Sequence, residues 1–200
     1  MIEAQPLARG ERAAAARMYG DAFIDDPGWI SAGPNGRERR RNYIRRICGG
    51  EVWAAPRVGG TVLVTRDDGN PSAAVIYYPP DALPLSLKIT VAEVPGAALA
   101  GPAVIARSLR ADATLQKVHP DEPHLFVSKL AAHPDCQRGG RGRALLNAAI
   151  AEANALDVPT YLDTAKPENL PYYHSFGFVL TGEAALPRGA RLWSLLRPVG

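Results

Sequence analysis

Ala and Leu positions from Leu7 to Phe23 recur at helical spacing, and Asp25-Asp26-Pro27-Gly28 closes the stretch because proline withdraws a donor and glycine frees the backbone. A first helix is predicted there. From Arg37 to Cys48, Tyr43, Ile44 and Ile47 share one side and the arginines fall mostly on the other, so a second helix is predicted, stopped by Gly49-Gly50. Thr61 to Thr65 and Ala73 to Tyr78 are β-branched and apolar, and the turn-forming Asp67-Asp68-Gly69-Asn70 between them predicts an antiparallel hairpin. Prolines cut the Pro79 to Pro123 stretch into short pieces, with one amphipathic helix expected over Ala103 to Lys117.

Leu125 to Ala132 reads as a strand, and a glycine-rich loop then leads into a helix from about Gly142 to Leu156. In that helix Leu145, Leu146, Ala149, Ile150 and Ala153 recur at the spacing that buries one face. Thr160 to Asp163, Phe178 to Thr181 and Leu192 to Leu196 are further strands. Asn169 is placed to cap a helix ending at Phe176, with Gly177 as its left-handed stop. No repeat or low-complexity linker divides the chain, so residues 1–200 are read as one mixed α/β domain.

Composition leaves this picture intact. With 46% hydrophobic and 22% charged residues the chain has an ordinary globular balance, which argues against disordered and fibrous classes. Apolar runs such as Gly96 to Ile105 fall far short of the roughly 20 residues of a membrane span, and the N-terminus lacks the apolar run of a secretory signal. No membrane association and a cytoplasmic location are the expectations. The net charge of +3 is small, and the arginines of Arg37 to Arg46 read as a solvated helix face. Only Tyr43 interrupts them, so no nucleic-acid partner is expected. Cys48 and Cys136 have no metal-ligand or catalytic-thiol spacing, and the four histidines form no ligand cluster, so no metal is expected.

The chemistry lies in Gln137-Arg138-Gly139-Gly140-Arg141-Gly142, just before the helix. Glycines let backbone amides approach a ligand, and a helix N-terminus favours negative charge, so the loop is an anion cradle. A P-loop needs Lys-Ser/Thr after its last glycine, and Arg143-Ala144 stands there instead. The dinucleotide fingerprint starting at Gly140 needs Gly or Ala where Leu145 stands, although Asp163 lies at a suitable distance for a ribose contact.

Gln137 to Gly142 resembles the Q/R-x-x-G-x-G/A loop of the GCN5-related N-acetyltransferases. Leu130 to Pro134 before it and the helix after it match that context. Asn169, Tyr173 and Gly177-Phe178 resemble the family's second signature, and Tyr161 to Pro198 is similar, more narrowly, to the puromycin N-acetyltransferase-like branch. That branch usually has Gly before the basic residue, whereas here Arg138-Gly139 are exchanged.

The resemblance implies an acetyl-coenzyme A-dependent N-acetyltransferase whose mixed sheet, flanked by helices, splays at the acyl-CoA site. It implies pantetheine on the backbone of Leu130 and Ala132, pyrophosphate on the amides of Arg138, Gly139, Gly140, Arg141 and Gly142 after Gln137, and Asn169 as a further cofactor contact. Arg138, Arg141 and Arg143 are candidates for charge-assisted phosphate contacts. Tyr173 matches the general acid, while Tyr172 misses the pattern by one and is assigned to packing. Asp163 and His124 are the candidate bases; His119 and His133, each followed by proline, are weaker. A small-molecule amine is the expected acceptor, with a protein lysine or N-terminus, or a non-catalytic acyl-CoA sensor, as alternatives. The resemblance leaves room for a homodimer.

Overall fold

The computed structural model describes residues 2–82 and 98–200. Seven strands form one sheet in the order β1-β2-β3-β4-β5-β7-β6: β1 Gln5–Pro6, β2 Thr61–Asp67, β3 Asn70–Tyr78, β4 Leu125–Ala132, β5 Thr160–Thr164, β6 Val179–Ala185 and β7 Arg191–Arg197. Every neighbouring pair is antiparallel except β4 with β5. The helices are α1 Arg12–Ala22, α2 Pro27–Ala32, α3 Arg37–Ala54, α4 Pro102–Val118, α5 Arg141–Ala155 and α6 Leu170–His174.

The central strand β3 is buried throughout after Asn70, because its alternating side chains enter different cores. Ala74 and Ile76 pack with Met18, Tyr19, Ile44, Ile47 and Val52 of α1 and α3. Val75 and Tyr77 pack with Leu145, Leu146 and Ala149 of α5, and that core takes in Leu162, Tyr173 and Phe178. The β2–β3 hairpin closes as expected, with Asp68 and Gly69 both at positive φ (47° and 77°), the backbone of a type I′ turn.

Four sequence expectations need correction. Gly49-Gly50 do not stop the second helix, which continues to Ala54. A Cβ on Gly49 would lie 3.3 Å from the Ala16 Cβ, so this glycine serves the close approach of α1 and α3 rather than a turn. The first helix is shorter than the Leu7 to Phe23 rhythm suggested: Gln5–Pro6 pairs with β2, a 3-10 turn covers Arg9–Glu11, and the α-helix begins at Arg12. The turn-like Asp26-Pro27-Gly28 also opens the unforeseen α2, since Asp26 Oδ1 accepts the amides of Gly28 (2.9 Å) and Trp29 (3.3 Å). Last, the helix expected over Asn169 to Phe176 is only Leu170–His174, preceded by a 3-10 turn, and the Asn169 side chain makes no cap bond. Gly177 does supply the left-handed stop, at φ 85°. The helix expected over Ala103 to Lys117 is α4, while residues 83–97 of the Pro79 to Pro123 segment lie outside the described residues. Among the described residues no helix is long and apolar enough to cross a membrane.

Candidate functional site

The parallel strands β4 and β5 pair only at Leu125, Phe126 and Val127 with Thr160, Tyr161 and Leu162. Beyond these residues β4 continues to Ala132 and β5 to Thr164 without pairing, so the sheet opens a gap between them. A bulge marks where it opens. Tyr77 pairs with Val127 and Ile76 with Lys129, leaving Ser128 as the extra residue of β4.

The bulge turns Ser128 and Lys129 to the α3 side, where both donate to the carboxylate of Glu51, Ser128 Oγ at 2.6 Å; the Tyr78 hydroxyl adds a third bond at 3.1 Å. Glu51 is 1% exposed and burial lowers the Lys129 pKa, so each charge depends on the other for compensation. Sequence reasoning missed this cluster. The available signal was the recurrence of Glu51 four residues after Ile47 on the buried face of α3, a place where an unpaired carboxylate is costly.

At the far end of β4 the glycine loop reaches α5, whose N-cap is Gly140 in the left-handed region (φ 81°). No side chain caps this helix, so the first-turn amides of Arg141, Gly142 and Arg143 lack protein partners from a cap. That is the condition for receiving an anion.

The exchanged pair has a geometric explanation. Arg138, rather than a glycine, takes a positive φ of 61°. A Cβ on Gly139 would lie 2.3 Å from Arg141 Nη1, so a side chain at 139 would require that guanidinium to move. The left-handed conformation costs a non-glycine residue about 1 kcal/mol. Arg138→Gly is therefore expected to raise stability by about 0.5 to 1 kcal/mol, read as a higher Tm; an unchanged or lower Tm would refute this strain.

Of the three loop arginines, only Arg138 keeps a side chain without a described partner. The Arg141 guanidinium is bound to both carboxylate oxygens of Asp67 (2.8 and 2.6 Å) and to the Cys136 carbonyl (3.2 Å), and this bond holds the Asp67 carboxyl below its usual range. Arg143 stacks over the Phe176 ring at 4.7 Å. In this structure the Arg141 and Arg143 side chains fasten the loop to the hairpin and to Phe176. Gln137 reaches back to the Ala132 carbonyl at 3.4 Å, bridging strand and loop. Leu130 and Ala132 pair with Val75 and Ala73 of β3 and stand on the stretch of β4 that has no β5 partner.

Helix α6 lies on the α5 side of the sheet. Tyr173 is 7% exposed, packs edge-on to Tyr172 and Phe178, and its hydroxyl has no hydrogen bond from the described residues. Burial, with the charges of Tyr172 and Asp26, pushes its pKa far above the ordinary phenol value, so it stays protonated. Asn169 donates to Thr164 Oγ1 at 3.5 Å, tying α6 to the open end of β5. Tyr172 packs as expected, yet its hydroxyl is buried without a partner, and a Cβ on Gly142 would sit 3.2 Å from it.

The two candidate bases separate clearly. Asp163 follows Leu162, the last residue of β5 to pair with β4, so it stands where the gap opens. Its Oδ1 accepts from Ser194 Oγ (2.6 Å) and Tyr161 Oη (2.7 Å). Burial nevertheless pushes its pKa up to about 6, the two hydrogen bonds pulling the other way. His124 precedes β4 at the closed end, about 10 Å of strand from Val127. Its Nδ1 faces the Glu122 carbonyl at 2.7 Å, its Nε2 faces His119 Nε2 at 3.1 Å, and burial lowers its pKa. His119 is lowered further, to about 4. These two rings pack on Tyr161. His133 accepts the Asp135 amide at 3.3 Å in the turn after β4. Among the described residues no group of three His, Cys, Asp or Glu is placed to hold a metal.

The fold recurs in solved structures. A protein described as histone acetyltransferase HPA2 and related acetyltransferase, from Corynebacterium glutamicum, superposes with a TM-score of 0.73 at 20% identity, over 100% of this chain and 97% of that one. The yncA protein of Salmonella typhimurium, solved with its cofactor acetyl-CoA, superposes at 0.60 and 15% identity over 100% and 95%. The paia N-acetyltransferase of Thermoplasma acidophilum, in complex with coenzyme A, gives 0.59 and 11% over 99% of each chain. The sequence profile of the acetyltransferase (GNAT) family matches residues 29–178, well over half of the chain. A sheet that parts beside an uncapped, glycine-led helix N-terminus is accounted for by that match, and the chain belongs to the GNAT family of acetyltransferases.

Proposed function

We propose that this single-domain chain transfers an acetyl group from acetyl-CoA to a primary amine of a small molecule, by direct attack with donor and acceptor bound together. The observation that carries the reading is the gap between β4 and β5 opening beside the uncapped N-terminus of α5. Two similar structures hold acetyl-CoA or coenzyme A, which supports the donor. The β5-facing edge of β4 around Leu130 and Ala132, which has no strand partner, offers an edge for pantetheine, and the amides from Arg138 to Gly142 receive the pyrophosphate. Arg138 adds the charge that no described residue neutralises. Gln137 and Asn169 hold the two ends of this track through Ala132 and Thr164, and Asn169 keeps an amide oxygen for the cofactor.

Leu162 and Asp163 point to opposite faces because successive strand residues do. Tyr173 packs in the Leu162 core, so the acid and the base flank the gap from its two sides. Asp163, ionised above about pH 6, takes the proton of the incoming ammonium; the amine then forms its C–N bond to the thioester carbonyl carbon. As the C–S bond breaks, Tyr173 gives its proton to the departing thiolate, and the second proton shed by the nitrogen as the amide forms restores the phenol through solvent. No protein nucleophile enters the sequence of bonds.

The test is a mass-spectrometric acetylation screen over mixed amines and peptides, with thiol release followed in parallel and Gly140→Pro as the negative control. An acetylated amine with one equivalent of thiol is expected. Tight acetyl-CoA binding with no thiol release across the panel would instead mark a non-catalytic sensor, and preferential acetylation of peptides a protein acetyltransferase. The similarity of the C-terminal segment to the puromycin N-acetyltransferase-like branch supports a small acceptor.

A further inference from the structure

A cleft of about 440 Å³ opens between α3 and α4, on the face of the sheet that carries Glu51 and Lys129. Four arginines line it, Arg39 and Arg46 from α3, Arg107 from α4 and Arg188 from the turn between β6 and β7, and among the described residues no carboxylate does. Asn42 and Tyr43 add polar groups to the wall.

Two of these cations are fixed by the C-terminal carbonyls of α2. Arg107 donates to Ala32 (3.3 Å) and Gly33 (2.8 Å), and Arg188 to Ile30 (3.0 Å) and Gly33 (3.4 Å). They converge on the Gly33 carbonyl, with no ion pair to either guanidinium among the described residues. Burial and the neighbouring Arg188 both lower the Arg107 pKa, the direction expected of cations held together. Arg39 and Arg46 have no hydrogen bond or ion pair within the described residues, although Arg37, Arg40 and Arg41 on the same helix are all engaged.

Both helices that line the cleft also reach residues beside the gap: Glu51 of α3 bonds Ser128 and Lys129 of β4, and Ala111 of α4 packs with Ala165. On α3 Tyr43 lines the cleft and Glu51 lies two turns further, about 12 Å at the helical rise. On α4 Ala111 lies one turn past Arg107, about 6 Å, and packs with Ala165, which follows the end of β5. An acceptor with its amine at Asp163 would therefore extend its other end along these helices toward the guanidinium forks. Such forks match carboxylate and phosphate by paired charge-assisted bonds.

We infer that the acceptor is a small amine carrying a carboxylate or phosphate, and that the cleft formed by Arg39, Arg46, Arg107 and Arg188 binds this anionic group. The inference deepens the proposed N-acetyltransferase activity and rests on it. Arg39 and Arg46 then set KM for the acceptor rather than kcat.

The experiment compares 6-aminohexanoate and 6-aminohexyl phosphate with the uncharged 6-aminohexanamide in acetyl-CoA-dependent thiol release, using wild type and an Arg39→Glu/Arg46→Glu double variant. Isothermal titration with inorganic phosphate and with succinate is run on both proteins. The charged amines are expected to exceed the amide at least tenfold in kcat/KM, through KM, because one lost charge-assisted pair is worth about that factor. The double variant should erase the preference and leave the amide rate unchanged, and phosphate or succinate should bind the wild type only. The two charged amines distinguish carboxylate from phosphate as the preferred anion. Equal rates in the wild type, or a preference that survives charge reversal, overturn the inference while leaving acetyl transfer standing. If acetyl-CoA binds and no amine reacts, acetyl transfer fails; the titrations then decide the anion site alone, and absence of binding overturns it. Preferential acetylation of an acidic peptide overturns the small-molecule assignment.

Discussion

Replacing Tyr173 with Phe should lower kcat by at least about a hundredfold, the lower end of what a positioned general acid contributes, while the Kd for acetyl-CoA stays unchanged. The phenol hydroxyl has no protein partner, so its removal breaks no hydrogen bond and leaves a ring that still packs on Tyr172 and Phe178. A hydroxyl with no hydrogen bond among the described residues adds no hydrogen-bond stability to the fold. The variant should accordingly unfold at the same temperature as wild type or higher. Steady-state thiol release, acetyl-CoA titration and thermal unfolding separate the outcomes. An unchanged kcat would remove Tyr173 from the chemistry, whereas a lowered Tm would assign its hydroxyl a structural role. Tyr172→Phe is the matched control, since that hydroxyl lies against Gly142 and takes no part in the proposed transfer.

Asp163→Asn should do two opposite things. As the base it must be ionised, so wild-type kcat/KM should rise with pH through about 6 and level off. The Asn variant should show a flat profile at least about a hundredfold lower.

Stability should move the other way. The folded pKa of about 6 lies above the ordinary value of 3.8, so between these values the folded protein holds more protons than the unfolded chain. The carboxyl's favourable contribution is complete below about pH 3.8 and is lost as pH rises through 6; at neutral pH the buried charge is a burden. About two pKa units correspond to on the order of 2 to 3 kcal/mol. Asn keeps an oxygen to accept from Tyr161 and Ser194, so the variant should be more stable than wild type at pH 7 and lose that advantage near pH 4. A variant that is inactive and also less stable at pH 7 would show that Asp163 holds β5 to β7 rather than serving as a base.

Much of the fold can be read along the chain wherever one periodicity operates alone. The strand at Leu125 to Ala132 has the bounds its pattern predicts, and α5 differs from its predicted span by about a residue at each end, because its apolar face meets the sheet without interruption. Reading fails where a residue type has two uses. Gly49-Gly50 carries the signature of a helix stop, yet at least Gly49 is there to admit Ala16 of a neighbouring helix, a contact remote in sequence. Asp26-Pro27-Gly28 likewise ends one helix and begins the next.

The candidate site divides in the same way. The glycine loop, its following helix, and the order of Asn169, Tyr173 and Gly177-Phe178 are local patterns, and the sequence by itself determined them together with the succession of elements that carries them. It also determined that Gly140 could cap a helix with its amides free, because that depends on the residue's own backbone. Only the tertiary structure decided where β4 and β5 separate, since pairing is a property of two strands and a bulge at Ser128 cannot be seen in either alone. It set Asp163 at the open end and His124 at the closed one, and it brought Glu51 to Lys129 across 78 residues of chain. It also took the Arg141 side chain for Asp67, leaving Arg138 as the loop arginine without a partner among the described residues. Each of these depends on which charges and hydrogen-bonding groups meet after burial, and those meetings are set by packing rather than by neighbours in the chain.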